Sequence, residues 1–352
     1  MNKNFSYNEL YKKIASKTNL IVKESKTGVA LFSEFGARLL GLFPSTEQFN
    51  TLWVPEDIDS RISANDWLLG GERLWVAPQR DYFFTDPQNF SGFHVPPPLD
   101  PGHYALKNNL SFENNFSLHN YTQNEEFCNC IAKRDFSIID IDPYKSNLNY
   151  IGVKINDLIS IPNTNTPVCA WSIAMVPTIG PQKPGTVLLP IANKYAIATY
   201  FDSIPSERSF VENDFARFLI DSKSALKLAV IPDGIVWNNP AKILYLAPFV
   251  NNTGWYCLVK RSDDLPKNQE ECVDIPANNT SGLKGAVQAY NHGYGSEMLY
   301  GEIELQFTKG TLVGDRIVSG GAHELLSYCG SKEEILNLAK QIIGTESTPE
   351  IY

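Results

Sequence analysis

The chain has 352 residues, 43% of them hydrophobic and 20% charged, and 30 Lys and Arg against 39 Asp and Glu leave a formal net charge of −9. That is enough apolar material for a sizeable core, held in more than one domain or in one large all-β unit. The acidic balance argues against a nucleic-acid partner, which calls for a concentrated basic face, and no stretch has the continuous apolar length that crosses a membrane.

The N-terminus, MNKNFSYNELYKK, has no apolar segment after its lysines, so no secretory signal is read and a cytoplasmic location is expected. The cysteines, Cys128, Cys130, Cys169, Cys257, Cys272 and Cys329, are scattered. No second pair at metal spacing accompanies Cys128 and Cys130, so no zinc site is read, and free, mostly buried thiols are the expectation. The Asn-x-Ser/Thr triplets at Asn89, Asn109 and Asn115 carry little meaning in an Asn-rich chain.

In chain order, Ser6 and Glu9 form a capping-box pattern, with Leu10 and Ile14 following at helical spacing. They predict a helix over 6–16. The segments LIVKES and GVALFSEF then begin a long series of β segments reaching to about residue 328. Within it, DWLLGGERLWVAPQR (66–80) concentrates chemistry in few residues. Gly70 and Gly71 let the backbone bend and approach a neighbour closely. Arg73 and Trp75, two apart, share one side of an extended chain. A guanidinium beside an aromatic plane suits a polyhydroxylated ring, and Glu72 and Gln79 could add hydroxyl partners. An arginine packed on a core tryptophan would look the same.

Residues 81–103, DYFFTDPQNFSGFHVPPPLDPGH, are too rich in proline for a regular strand and read as a long ordered loop. His94 and His103 lie in or beside it. Further strands are expected over 104–122, 127–139, 150–159, 186–200, 226–236, 242–250 and 297–308. Alternation such as Ile151, Val153 and Ile155 against Gly152, Lys154 and Asn156 describes antiparallel strands with one covered and one wetter face. No helical inserts of parallel α/β type separate them.

Lys227 faces away from Leu226 and Leu228, where it could meet a sugar hydroxyl, an anionic group or simply solvent. The nearby S-x-x-K spacing from Ser224 lacks the other motifs of its class. Gly293-Tyr-Gly295 likewise lacks the third glycine of a dinucleotide loop. Finally, Ser331 and Glu334 form a second capping box, Ile335, Leu338, Ala339 and Ile342 make one stripe, and Gly344 can end the helix. The organisation expected is an N-terminal helix and lead-in strand (1–27), a β-sandwich (28–330) and a C-terminal helix with tail (331–352).

The run GGERLWVAPQRDYFF followed by HVPPPLDPGHYAL resembles the galactose-mutarotase-like β-sandwich superfamily, in a branch with a GG-x-R-x-W-x-A-P motif and a downstream L-D-P-G. Later segments at 170–191, 215–234 and 285–315 fit the same order, so the resemblance covers roughly 28–328. It implies a large antiparallel β-supersandwich, all-β with short terminal helices, and a sugar-sized groove on a concave face. The expected partner is a monosaccharide or oligosaccharide, and the oligomeric state is left open.

Anomer interconversion in such proteins uses a glutamate base on a late strand and a histidine acid, with no metal or organic cofactor. The late strand here is MLYGEIELQF, with Tyr300, Glu302, Glu304 and Gln306 on one face and Leu299, Ile303, Leu305 and Phe307 on the other. Glu304 fits the base position, and a two-residue slip to Glu302 keeps the same face. His292, in the glycine-flanked loop just before this strand, is the candidate acid, with His94 a candidate at the rim. Trp75 and Trp171 are the aromatics placed at a sugar face, although core packing is the ordinary role of either. The early N-R motif and the N-H-x-Y-F-N segment of true mutarotases are lacking. Carbohydrate binding is therefore the leading expectation, with epimerase chemistry, a non-catalytic sugar-binding domain or the sandwich part of a polysaccharide-processing enzyme behind it.

Overall fold

The computed structural model describes residues 4–212, 214–237, 240–293 and 298–352. The first residue of the expected 297–308 segment, and Tyr294 and Gly295 of the glycine-flanked loop, lie outside them. Among the described residues the chain forms a nine-stranded and an eleven-stranded sheet, with antiparallel pairing throughout. The architecture is all-β, with short helices at the two ends.

Strands of the eleven-stranded sheet carry the expected alternation. In Ser111–Asn120 the residues Phe112, Asn114, Phe116 and Leu118 are buried while their neighbours are not, because side chains leave a strand on alternating faces. The centre of the nine-stranded sheet departs from that expectation. Glu72–Ala77, Cys169–Pro177 and Tyr300–Gln306 are buried at every position. One face packs on the other sheet, through Leu74, Val76, Ala170, Ile303 and Leu305. The other is roofed by loops, and it bears Arg73, Glu302 and Glu304.

Both terminal helices follow their sequence signals. Tyr7–Ile14 starts at a capping box of Ser6 and Glu9 and buries Leu10 and Ile14 against Leu31, Leu40 and Phe43. Lys332–Ile343 has the second box, of Ser331 and Glu334, and ends at Gly344 with φ 81°. Its apolar stripe covers Leu244, Leu246, Val259 and Leu326 on the outer face of the eleven-stranded sheet. A short helix at Ile58–Ser63 has no counterpart in the sequence reading.

The paired glycines occupy the left-handed region, Gly70 at φ 75° and Gly71 at φ 72°. A Cβ on Gly70 would sit 2.1 Å from the Trp53 carbonyl oxygen, and one on Gly71 2.4 Å from that of Leu39. Both the dihedral and the close approach demand glycine here. The proline-rich region is more regular than a loop. It holds a helical turn at Gln79–Phe83, a small hairpin of Phe84–Asp86 with Ser91–Phe93, and a π-type turn at Pro98–Gly102. The prolines fall outside the paired strands, which is why the hairpin is compatible with the composition.

Candidate functional site

Register fixes which side chains share the roofed face, because directly opposed residues in an antiparallel pair point the same way. Arg73 lies opposite Ile173 and Trp75 opposite Trp171, while Ile173 lies opposite Glu304 and Met175 opposite Glu302. Glu302 in turn pairs with Tyr290, and Tyr290 with Lys227. Five adjacent strands thus place Arg73, Trp75, Trp171, Glu302, Glu304 and Lys227 on one surface. They line a cavity of about 630 Å³, together with Gln79 and His292.

The floor of the cavity is built from two cross-strand ion pairs. Arg73 Nη2 donates to Glu302 Oε1 at 2.8 Å, and Lys227 Nζ donates to Glu304 Oε2 at 2.7 Å. Trp171 Nε1 donates to the same Glu304 oxygen at 2.9 Å. The Arg73 guanidinium carbon lies 4.0 Å from the Trp75 ring centre and Lys227 Nζ 4.5 Å from that of Trp171, so each cation also rests on an aromatic face. Glu304 is fully buried, yet among the described residues its Oε1 meets no hydrogen-bond partner, and the buried Arg73 Nε is likewise unsatisfied. Burial pushes the Glu304 carboxyl above its usual range, opposed by Lys227 and reinforced by Glu302. His292 stacks on Tyr300 with ring centres 4.2 Å apart, and burial pushes its pKa down to about 4.

The walls tie the two sequence motifs together. Trp75 Nε1 donates to Asp100 Oδ2 at 2.6 Å. Asp100 also accepts from Arg38 Nη2 at 2.6 Å and 2.8 Å, and the same guanidinium donates to the carbonyls of Gly70 and Trp67. The aspartate of the L-D-P-G segment therefore holds the indole of the G-G-x-R-x-W segment in orientation. Sequence reasoning missed Asp100, Arg38 and the aromatic wall of Trp67, Phe84, Phe90 and Phe93. Proximity of Trp67 to the glycine pair was the available signal for that residue. Nothing local marks Asp100 as the indole's acceptor.

Two expected site residues lie elsewhere. Glu72 points to the opposite face from Arg73, as strand parity requires. There its Oε1 accepts from Ser172 Oγ at 2.5 Å and Lys260 Nζ at 3.4 Å, and its Oε2 pairs with Arg134. Arg134 Nε reaches Asp157 Oδ1 at 2.8 Å, and His323 Nε2 lies 3.0 Å from Asp157 Oδ2. Burial would raise the Glu72 carboxyl, but Arg134 and Lys260 hold it below its usual range. Glu72, Asp157 and His323 come close enough to suit a metal ion, but Arg134 and Lys260 already occupy the carboxylate oxygens, and a divalent cation would have to displace them. His94 is also outside the cavity. Its Nε2 lies 3.2 Å from Tyr121 Oη, while its neighbour Phe93 lines the cavity. His103 is exposed.

Lys227 is buried rather than solvent-facing, and Tyr300–Gln306 is paired on both sides, so Glu302 and Glu304 do not belong to a solvated edge. No helix among the described residues is long and apolar enough to cross a membrane. No family model and no curated protein sequence matches the chain. Among solved structures, it is similar to a galactose mutarotase-like protein from Lactobacillus casei, at 9% identity over 88% of this chain and 99% of that one with a TM-score of 0.41. A protein from Synechocystis is similar at 10% identity over 90% and 96% with a TM-score of 0.45, and a candidate aldose 1-epimerase from Escherichia coli K12 at 9% over 89% and 99% with a TM-score of 0.38.

Proposed function

We propose that the cavity binds the ring of a neutral carbohydrate. The observation that carries this reading is the floor of two internally neutralised ion pairs, Arg73 with Glu302 and Lys227 with Glu304, set between tryptophan faces. A phosphate would meet two carboxylates there, and an ammonium two cations. A hydroxyl both donates and accepts, so it suits a floor that offers cations and carboxylates side by side. Trp75 and Trp171, expected at the sugar face, are instead buried with Arg73 and Lys227 resting on their rings, so they position the two cations.

The test is calorimetric titration with methyl glycosides of glucose, galactose, mannose and xylose, repeated on Arg73→Ala. At least one sugar should bind, with affinity reduced tenfold or more in the variant. Absence of heat for the whole panel, or affinity indifferent to the variant, would sink the reading.

Anomer interconversion is the second reading, favoured by the buried Glu304 carboxyl, which burial pushes above its usual range beside the cavity, a property suited to a general base. Its weak point is the acid. His292 is neutral at pH 7 because burial disfavours its charged form, which makes it a poor proton donor to a ring oxygen. Polarimetry of freshly dissolved α-glucose and α-galactose decides this, since a catalyst must shorten the decay of optical rotation below that of buffer.

A further inference from the structure

Beyond the charged floor the cavity changes character. Its mouth is formed by the hairpin of Phe84–Asp86 and Ser91–Phe93 and by Trp67. Phe84 and Phe93 are directly paired, so both project to the same side. Their ring centres are 5.5 Å apart, Phe84 and Phe90 are also 5.5 Å apart, and Trp67 lies 6.4 Å from Phe93 and 5.6 Å from Trp75. The aromatic surface therefore runs without interruption from the mouth to the floor.

Two observations set this mouth apart from ordinary packing. Phe93 is 48% exposed, unusual for a phenylalanine within an ordered aromatic cluster. Phe90 has φ 49°, a left-handed conformation that a bulky side chain rarely adopts. The turn that imposes it is fixed by Asp86, whose carboxylate accepts from Asn89 N and Nδ2 and from Ser91 Oγ. Strained residues of this kind concentrate where a side chain must be presented to a ligand.

We propose that Trp67, Phe84, Phe90 and Phe93 form a second subsite that takes the flat, apolar aglycone of an aryl glycoside while the sugar ring sits on the charged floor. This rests on the carbohydrate reading above and names its substrate class. A cavity of about 630 Å³ exceeds what one pyranose fills and falls in the range of roughly 300–1,000 Å³ that holds drug-sized ligands. A second sugar ring would bring several hydroxyls to the mouth, where the three phenylalanines offer neither donor nor acceptor and Trp67 offers a single indole donor. An aryl ring needs none and can stack in the offset or edge-on geometries that the rim rings already adopt with one another.

The experiment compares methyl and phenyl glycosides of glucose, galactose, mannose and xylose by calorimetry, with phenol and the disaccharides cellobiose and lactose alongside. For the preferred sugar the phenyl glycoside should bind at least tenfold tighter than the methyl glycoside. That ratio should collapse toward one in Phe90→Ala and in Phe93→Ala, with folding of both checked by thermal melting. Equal phenyl and methyl affinities would overturn the subsite and leave the carbohydrate reading standing. A phenyl advantage that persists in both variants would overturn its assignment to the hairpin. Tighter binding of a disaccharide than of the phenyl glycoside would overturn the aryl class. Phenol binding as tightly as phenyl glycoside, or silence from every glycoside, would overturn both readings.

Discussion

The strand Glu72–Ala77 separates two buried charge clusters that differ in one respect. On its inner face Glu72, Arg134, Asp157, Lys260 and His323 are fully buried between the sheets and close on one another. On its outer face Arg73, Glu302, Lys227 and Glu304 are almost as deeply buried, but they border open space and keep unsatisfied atoms. Buried charge by itself thus fails to mark a binding site. Unsatisfied atoms do not separate them either, since His323 Nδ1 of the inner cluster also lacks a partner among the described residues; what distinguishes the outer cluster is the cavity beside it.

The sharpest way to break this comparison is to remove one cation from each cluster. Arg134→Met should destabilise the protein by about 3–5 kcal/mol, because Glu72 and Asp157 would stay buried without their main partner. Arg73→Met should cost distinctly less, since water in the cavity can reach Glu302. Urea unfolding of the two variants makes the measurement. Equal losses would mean that the inner and outer clusters are alike.

The link between motifs comes next in size. Asp100→Ala should cost about 3 kcal/mol, the lower end for a broken buried ion pair, because Arg38 keeps the Gly70 and Trp67 carbonyls while losing its carboxylate and the Trp75 indole loses its acceptor. Because Trp75 loses its anchor as well, indole emission should shift and sugar affinity should fall with stability. Loss of stability with unaltered emission and affinity would restrict Asp100 to a role in folding. Smaller again is Glu304→Gln, expected to weaken sugar binding about tenfold, or roughly 1.4 kcal/mol. Glu72→Gln should instead act on the unfolding midpoint. Calorimetry and urea curves on the pair would contradict the assignment if the two variants exchanged phenotypes.

Face parity was legible in the sequence wherever a strand was. It grouped Arg73 with Trp75 and Glu302 with Glu304, and both ends of the chain declared their helices through capping residues. Applied strictly, the same parity excludes Glu72 from the company of Arg73. His94 left the cavity by a similar change of side, one residue after Phe93. What could not be read were the partners. Lys227 meets Glu304 across 77 residues, and Arg73 meets Glu302 across 229. Such pairs follow from strand order, which local spacing does not encode. The Phe84–Phe93 hairpin stayed hidden because proline density on both sides masked two very short strands.

The last expected effect concerns pH and tests whether His292 belongs to the desolvated floor. Its ring stacks on Tyr300 at 4.2 Å and its Nδ1 lies 3.4 Å from Tyr290 Oη. Burial pushes its pKa from the ordinary 6.5 down to about 4. Between those values the unfolded chain takes up a proton that the folded protein refuses. The contribution to stability is therefore complete above pH 6.5 and is lost as pH falls toward 4. Glu304 and Asp274, whose carboxyls burial pushes upward, act in the opposite sense as their folded forms accept protons more readily. The comparison must then be with His292→Phe, which keeps an aromatic ring on Tyr300 and removes the titration together with the Nδ1 contact to Tyr290. Wild type should lose stability more steeply than this variant between pH 6.5 and 4, and one histidine signal by NMR should titrate near the lower value. Parallel stability curves, or a midpoint for that signal at the ordinary value, would show that solvent reaches the imidazole freely and that the floor is wetter than its burial implies.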